Sequence, residues 1–524
     1  MKSIAFALVP AAFGLALGCS KSAPATRRDA SDGPNSAGNF KVDLAPARQL
    51  DMVFMLGNGA CCGKLAKMNK MFPTLLTQLR DSTDGTYPDL RIAIIDSDLG
   101  TGGQYKQGSC APNQTNGGSL WGDLGKFQMR GAASCGVTSD ALWIEYANGQ
   151  PVNYVNPANG DIAQVFGCLA TNVGTTGCGV EQQLQAFEYA LITPGIGNEE
   201  QRKMLRPYAQ LALLFLADED DCSATPDDSM FGDKPELAWE SASLRCATRG
   251  HACGGVNLSQ APPGYPTTAA FSAPFASCQA RMDACPNPSD GTASDVVDTS
   301  EPTECSPLKS VSFMANELKA LKSIPDQQLL VAGIFGWPRI GADGTPDVAS
   351  AIYRIDLAPN ANTADTAHPQ IFDYWPTCFD PDHMPKSSGY DAEAWGWGAT
   401  GGLRLAAFVD RFGKSGLKFS SCERDYSGAM TAIGNTLAQR TRQSCLPAAV
   451  AGFSKCSAHL LAPDGVGGYL ATPDPVPSCD ANPTASPCYT LAADATACAA
   501  GELRVAVNPA SAVATSTVLQ LDCM

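Results

Sequence analysis

Residues 51–64 read DMVFMLGNGACCGK, and this stretch decides the fold class. The apolar run 52–56 does not alternate with polar residues, which is typical of a strand buried on both faces of a parallel sheet. After it come small residues and two adjacent cysteines: Gly57, Asn58, Gly59, Ala60, Cys61 and Cys62. The stretch therefore predicts a buried strand that carries a loop with few side chains to one edge of a sheet.

Further apolar runs of the same kind are LRIAII at 90–95, LALLFL at 211–216 and LLVAGIF at 329–335. Apolar residues at steps of three and four predict helices over 65–79, 180–191 and 311–321, and a strand and a helix follow at 417–422 and 425–440. Strands that alternate with helices predict an α/β fold with a mostly parallel sheet covered on both faces. Pro73 lies inside the first helical pattern, where we expect it to kink or split the helix.

Three segments rich in turn residues interrupt this pattern, and we interpret 99–162, 222–304 and 339–410 as disulfide-bonded insertions. Beyond Cys445 the helical spacing stops, so residues 446–524 are predicted to form a small cysteine-rich β extension. The hydrophobic content of 44% fits a globular protein. The net charge of −16 excludes nucleic-acid binding, which needs a basic surface.

The N-terminus, MKSIAFALVPAAFGLALGCSKS, has an apolar stretch at 4–17 that is too short for a permanent membrane helix. It resembles the signal peptide and lipobox of bacterial lipoproteins, although Ala16 replaces the usual leucine. The resemblance implies a signal peptide at 1–18, lipid attachment at Cys19 and, from Ser20, sorting to the outer membrane. The alternative is an ordinary secretory signal with an incidental Cys19. Residues 19–48 are predicted to form a flexible tether.

Removing Cys19 from the 21 cysteines leaves an even number, which predicts disulfides formed in an oxidising compartment. The candidates closest in sequence are Cys110 with Cys135, Cys168 with Cys178, Cys278 with Cys285, and Cys479 with Cys488. Cys61 and Cys62 either bind different partners or form a vicinal bridge. The triplet of Gly177, Cys178 and Gly179 is interpreted as half of a disulfide rather than a reactive thiolate.

The first strand, LRIAIIDSDLG, GTTGCGVEQQLQAFEYAL and LALLFLADEDDCS together resemble von Willebrand factor type A domains of cysteine-rich bacterial lipoproteins, over residues 49–445 without the insertions. The resemblance implies a doubly wound sheet with a metal site at the carboxyl ends of its strands. That site uses Asp-x-Ser-x-Ser, but here Gly57, Gly59 and Cys61 stand at the ligand positions. Only Thr175 or Thr176 and Asp218 match, so we expect the metal site to be lost and no cofactor to bind.

The acidic run of Asp218, Glu219, Asp220 and Asp221 is interpreted as a solvated turn in which Asp218 caps or hydrogen-bonds the loop. The alternatives are a cation site or a carboxyl pair that shares a proton. The set Cys246, His251 and Cys253 suggests zinc, but disulfides compete for the cysteines and a fourth ligand at finger spacing is absent. The four histidines lack an adjacent nucleophile motif, so no enzyme activity is predicted.

The resemblance implies recognition of a protein or another envelope macromolecule through the loops at 57–63, 174–179 and 218–223. Trp395 and Trp397 either anchor such an interface or are buried against the sheet edge. The predicted binding face consists of Asn58, Gly59, Thr175, Thr176, Asp218, Glu219, Asp220, Trp395 and Trp397. Two other functions remain open, namely a disulfide-hardened envelope scaffold without a ligand and a hydrolase built from the insertions.

Overall fold

The computed structural model describes residues 38–44, 48–57, 63–81, 85–104, 110, 120–155, 161–173, 177–224, 231, 240–253, 256–257, 278–281, 308–341, 345–347, 351–359, 369–386, 390–441, 445–447, 450, 456–494, 498, 502–510 and 513–523. All statements about the structure concern these residues. The chain has mixed α/β content, and a sheet with parallel strands forms its centre.

The strands, in chain order, are β1 (Gly38–Asp43), β2 (Gln49–Leu56), β3 (Asp89–Asp96), β4 (Ile144–Ala147), β5 (Gln150–Pro151), β6 (Gln210–Leu216), β7 (His251–Cys253), β8 (Val256–Asn257), β9 (Cys278–Ala280), β10 (Leu329–Phe335), β11 (Ile355–Pro359), β12 (Gln370–Tyr374), β13 (Cys378–Phe379), β14 (Gly398–Ala399), β15 (Gly416–Ser420), β16 (Cys445–Pro447), β17 (Cys456–Pro463), β18 (Tyr469–Pro475), β19 (Cys488–Ala493), β20 (Glu502–Asn508) and β21 (Val518–Cys523).

The helices are α1 (Lys64–Leu79), α2 (Ile162–Val173), α3 (Gln183–Leu191), α4 (Ala242–Gly250), α5 (Val311–Lys319), α6 (Pro325–Gln328), α7 (Ala392–Trp397), α8 (Leu403–Asp410) and α9 (Ser427–Arg440). Short 3-10 turns lie at Ala132–Cys135, Gln201–Met204 and Gly413–Ser415. Pro73 lies within α1 and does not split it, because the helix runs through to Leu79.

The central sheet has seven strands in the order β15-β10-β6-β2-β3-β4-β5. The strands from β15 to β3 are parallel, and Val53 of β2 lies between Leu213 of β6 and Ala93 of β3. β4 and β5 continue the sheet as an antiparallel hairpin. The chain leaves β2 for β3 on one side and later adds β6, β10 and β15 on the other, so the strand order reverses at β2.

Both faces of the central sheet are covered by helices. Phe54 points into a core formed with α1, α2 and α9, while Val53 points into a second core formed with α3, α5 and α8. This two-sided burial explains why the apolar runs do not alternate with polar residues. The four runs used for the prediction are all strands of this sheet.

The C-terminal β unit consists of β1 and β16–β21. Its two sheets have the orders β1-β21-β17-β18 and β16-β20-β19, and both contribute to one core. The predicted tether at 19–48 is therefore wrong for residues 38–43, which pair with β21. The reason is that Phe40, Val42 and Leu44 alternate with polar residues and cover this core.

Parts of two predicted insertions belong to the layers of the central fold. Within 99–162, β4 and β5 extend the sheet, and within 339–410, α8 packs Leu405 and Phe408 into the second core. The sequence pattern of α8 was hidden by the glycine-rich residues before it. The remaining strands form small sheets outside the centre, β11-β12, β13-β14 and β8-β7-β9.

The described residues contain eight disulfides: Cys110–Cys178, Cys135–Cys168, Cys222–Cys246, Cys253–Cys278, Cys378–Cys422, Cys445–Cys498, Cys456–Cys523 and Cys479–Cys488. The pair Cys479–Cys488 and the disulfide role of Cys178 are confirmed. The pairings of Cys110 with Cys135, Cys168 with Cys178, and Cys278 with Cys285 are wrong, because the folded chain brings sequence-distant segments together instead. So many disulfides indicate an oxidising, extracytoplasmic environment.

Candidate functional site

The strand-end site lies where β2 and β6 end, and it contains Lys64, Glu181, Asp218 and Glu219. The Gly57 amide donates to the Leu216 carbonyl oxygen at 2.8 Å, which holds the two strand ends together. α1 then begins at Lys64, so the first side chain of this helix lies next to the end of β6. Ligands of open α/β sheets bind at this edge, where the strand order reverses.

Lys64 and Asp218 form a buried ion pair in this site. The Lys64 ammonium lies 3.2 Å from Asp218 Oδ2 and also donates to the Gly396 carbonyl oxygen at 3.3 Å. Lys64 is only 1% exposed and Asp218 is 9% exposed. The carboxylate that the resemblance assigns to a metal is thus paired with a cation from the protein itself.

Glu181 fills the space beside Gly57. A Cβ atom on Gly57 would lie 2.7 Å from Glu181 Oε2, so a side chain at position 57 requires Glu181 to move. Glu181 is buried and accepts a hydrogen bond from Gln183 Nε2 at 2.7 Å. The family pattern has an aspartate at position 57. Here the carboxylate of Glu181, from another loop, occupies the space beside Gly57 instead.

Glu219 completes a crowded group of carboxyl groups. Burial raises its pKa well above the ordinary value, the charges of Glu181 and Asp218 raise it further, and Lys64 lowers it in part. Burial and the neighbouring negative charges therefore favour the protonated form of Glu219 more than water would. A protonated carboxyl group beside a carboxylate is also the arrangement that an acid/base pair requires.

The acidic run after β6 is not the solvated turn that was predicted, since Asp218, Asp220 and Asp221 are all buried. Asp220 accepts the backbone amides of Arg404 at 2.9 Å and Leu405 at 3.1 Å, and its Oδ2 lies 2.6 Å from His251 Nε2. Asp220 thus caps the N-terminus of α8 from a distant part of the chain.

Asp221 does the same for α3, which lies on the same face of the sheet as α8. Its Oδ1 accepts the Leu184 amide at 3.0 Å, near the N-terminus of α3, and its Oδ2 accepts from Arg404 Nη2 at 3.0 Å. Asp221 and Arg404 are fully buried. The acids are desolvated because the amino ends of two helices and an arginine replace water around them.

The cap, defined as residues 375–386 and 390–400, contacts the strand-end site. Trp397 packs so closely on Gly63 that a Cβ there would lie 2.2 Å from its ring. The Thr400 amide donates to the Asp218 carbonyl oxygen at 2.8 Å, and Lys67 pairs with Asp380. The Cys378–Cys422 disulfide ties the cap to the segment after β15.

Aromatic side chains cluster on the cap. Trp395 and Trp397 are both half-buried. The sequence left two alternatives open, an exposed interface anchor or a side chain buried against the sheet edge, and the observed burial lies between them. The Trp395 ring lies 5.0 Å from Trp375 and 4.8 Å from Tyr390, and Trp397 stacks on His383 at 4.0 Å. Tyr390 is 41% exposed, so the cluster reaches the surface.

Several predicted site residues lie outside the described residues, namely Cys19, Asn58, Gly59, Ala60, Cys61, Cys62, Thr175 and Thr176. Sequence reasoning missed Lys64, Glu181 and Arg404. A signal existed for Lys64, because it is a charged residue directly after a glycine-rich strand end. The positions of Glu181 and Arg404 carried no comparable signal.

The expectation that disulfides rather than zinc use Cys246 and Cys253 is confirmed. Cys246 and Cys253 are bonded to Cys222 and Cys278, and His251 contacts Asp220. Across the described part of the chain, no three His, Cys, Asp or Glu side chains are grouped so that they could hold a metal ion.

The chain matches no protein-family model, and no curated protein is significantly similar to it. None of the helices within the described ranges is both long and apolar enough to cross a membrane.

Proposed function

We propose that this protein is a lipid-anchored component of the bacterial cell envelope that recognises a partner protein without a metal ion. In this proposal, residues 1–18 are removed, Cys19 carries the lipid in the outer membrane, and a doubly wound domain like those of von Willebrand factor type A binds the partner. The N-terminal sequence and the disulfides support the location.

The exposed aromatic surface of the cap carries this proposal. Tyr390 and Met384 are 41% and 51% exposed, and Trp395 lies directly beside Tyr390. The Arg354 guanidinium stacks on Trp375 at 3.6 Å and extends the cluster. Tryptophan, tyrosine and arginine dominate the binding energy of protein interfaces, because they bury a large area and keep a polar group.

The ion pair beneath the cap supports recognition without a metal. A hard divalent cation needs several oxygen ligands, and the ammonium of Lys64 already neutralises Asp218 at 3.2 Å. A cation placed next to Asp218 would also meet the positive charge of Lys64. This pairing supports the proposal that the strand-end site acts without magnesium or calcium.

Crosslinking on intact cell envelopes tests the recognition surface. We expect one defined partner to crosslink to the native protein and to be lost from the Tyr390→Ala/Trp395→Ala variant. Val466→Ala is the matched control, because Val466 is 84% exposed in the C-terminal β unit. Equal crosslinking of the double variant would contradict the proposed surface, and the absence of any partner would favour the scaffold function.

Calorimetric titration of residues 20–524 with magnesium, calcium and manganese tests the metal-free part. We expect no binding of any of the three ions. Stoichiometric binding that Asp218→Ala abolishes would instead favour metal-dependent adhesion.

The anchor has its own test. Cys19→Ala is expected to release the protein from membranes into the soluble fraction, as measured by fractionation. Retention of this variant in the membrane would contradict lipid attachment at Cys19.

A further inference from the structure

A cleft separates the amino-terminal edge of the central sheet from the C-terminal β unit, at the edge opposite the strand-end site. Its volume is about 1030 Å³, and β1, α6, the turn at 411–415 and the end of α9 line it. Binding sites for small molecules are often clefts of this size between domains. The proposed recognition surface uses none of these residues.

The two walls of the cleft are held together by hydrogen bonds beside it. The Asp43 amide donates to Gln327 Oε1 at 3.1 Å, and Gln327 Nε2 donates to the Lys41 carbonyl oxygen. Nearby, Gln328 Nε2 donates to the Tyr469 hydroxyl at 3.1 Å. The cleft is therefore framed by specific contacts between β1 or β18 and α6.

The charge of the cleft differs from that of the whole chain. Its described lining includes four cationic side chains, Lys41, Arg411, Lys414 and Arg440, and three acidic ones, Asp43, Asp326 and Glu502. The whole chain has 36 lysines and arginines against 52 acids. Among the described lining residues, cations thus outnumber acids by one, within a protein that is acidic overall.

Arg440 is the best placed of these cations to bind an anion. Its Nη1 donates to the Leu329 carbonyl oxygen at 2.7 Å, and its Nη2 donates to Ser415 Oγ at 2.9 Å. Both acceptors are neutral, and a guanidinium has five N–H donors in all. Burial lowers the pKa of Arg440 to about 10, and the negative charges of Asp326 and Glu502 offset this effect only in part. An anion next to it would restore the lost solvation.

Lys41 and Lys414 add positive charge that ion pairs within the described residues do not neutralise. The amine of neither one lies within 4.0 Å of a carboxylate there. Lys414 is exposed and Lys41 is half-buried, so both can reorient towards a ligand. The overall charge of −16 opposes a long polyanion, which favours a small ligand.

We propose that this cleft binds a small oxyanion-bearing molecule, with Arg440 as the main anchor and Lys41 and Lys414 as additional cationic contacts. The shared chemistry is a carboxylate or phosphate group recognised by a guanidinium and ammonium groups. Thermal unfolding of residues 20–524 in the presence of succinate or inorganic phosphate tests it. Sodium chloride at matched ionic strength corrects for general salt effects.

We expect a saturable rise in Tm with at least one of the two probes. The Lys41→Ala/Lys414→Ala variant is expected to bind that probe about tenfold more weakly, since two charged contacts are lost. Lys70→Ala, which removes an exposed lysine outside the cleft, is the matched control and should bind like the native protein. Removing both lysines breaks no side-chain hydrogen bond or ion pair within the described residues.

The two probes distinguish which kind of anion the cleft binds. A response to succinate alone indicates a carboxylate ligand, and a response to phosphate alone indicates a phosphate ligand. A shift no larger than that of sodium chloride for both probes would overturn the proposal. Unchanged affinity in the double lysine variant would overturn it as well, because binding would then lie outside the cleft.

Discussion

Lys64 is a buried cation at the first position of a helix, where the helix dipole disfavours positive charge. Its stem is enclosed by the protein, and its ammonium reaches Asp218 and the Gly396 carbonyl oxygen. A residue in this position is tolerated only with a carboxylate next to it. Asp218 provides that carboxylate, so the pair defines the chemistry of the strand-end site.

Lys64→Met is expected to lower the free energy of unfolding by about 3–5 kcal/mol, because Asp218 would remain buried without its cation. The Lys64→Met/Asp218→Asn variant should lose less than the single variant. Arg424→Met breaks an ion pair with Asp382 whose side chains are 67% and 55% exposed. This control should cost less than about 1 kcal/mol in urea unfolding. Equal losses for Lys64→Met and Arg424→Met would contradict the argument.

Lys322 is a second buried cation, at the opposite edge of the sheet. It donates to the carbonyl oxygens of Arg206 and Ala209 at 2.9 and 2.7 Å. Burial lowers its pKa from 10.5 to about 8, although Asp51 raises it in part. Between these two pH values the unfolded chain holds a proton that the folded protein has released.

The native protein should therefore gain stability relative to Lys322→Met as the pH rises from about 8 to 10.5. The slope of the difference approaches about 1.4 kcal/mol per pH unit, because one proton separates the two states. Urea unfolding of both proteins across this range measures it. Parallel pH profiles for the two proteins would show that the pKa of Lys322 is not lowered.

At the scale of elements, the acidic turn after β6 connects the sheet to the helices on one of its faces. Asp220 caps α8 and Asp221 caps α3, while Arg404 lies between the two turns and binds Asp221. The turn follows a strand, but its side chains act as N-caps for helices distant in sequence. This use explains why Asp220 and Asp221 are buried although they follow directly after a strand.

Asp220→Ala is expected to lower the free energy of unfolding by at least about 2 kcal/mol, because α8 loses its cap and His251 loses its acceptor. Ser310→Ala is the matched control, since Ser310 caps α5 locally by accepting the Phe313 amide at 3.2 Å. This control should cost about 1 kcal/mol. A smaller loss for Asp220→Ala than for Ser310→Ala would show that Asp220 is not a structural cap.

Across the whole molecule, the disulfides join segments that are far apart in sequence. Cys456–Cys523 closes a separation of 67 residues in the C-terminal β unit, while Cys479–Cys488 closes only 9. Because β1 pairs with β21, the first bridge also secures the strand that begins the described chain. Longer closed loops restrict the unfolded chain more strongly.

Removing the long bridge by Cys456→Ala/Cys523→Ala should lower the free energy of unfolding by about 4 kcal/mol. Removing the short bridge by Cys479→Ala/Cys488→Ala should cost about 2–3 kcal/mol. Denaturant unfolding of the oxidised proteins compares the two. A larger loss for the short bridge would mean that native contacts, rather than loop closure, determine the effect.

The sequence by itself determined the parallel strands, four of the nine helices in the described residues (α1, α3, α5 and α9) and the oxidising environment. These features depend on local runs of apolar residues and on the number of cysteines, and both can be read along the chain. The apolar run at 52–56 became β2, and the pattern at 65–79 became α1. Local patterns were sufficient because each element buries its own apolar face.

Only the tertiary structure decided which side chains meet. Lys64 and Asp218 are separated by 154 residues, and Asp220 and the Arg404 amide by 184. The tertiary structure also determines the disulfide partners of Cys110, Cys168 and Cys278 and the pairing of β1 with β21. Such contacts depend on how the elements pack in space, and the free energy of a buried charge depends on the groups that this packing brings next to it.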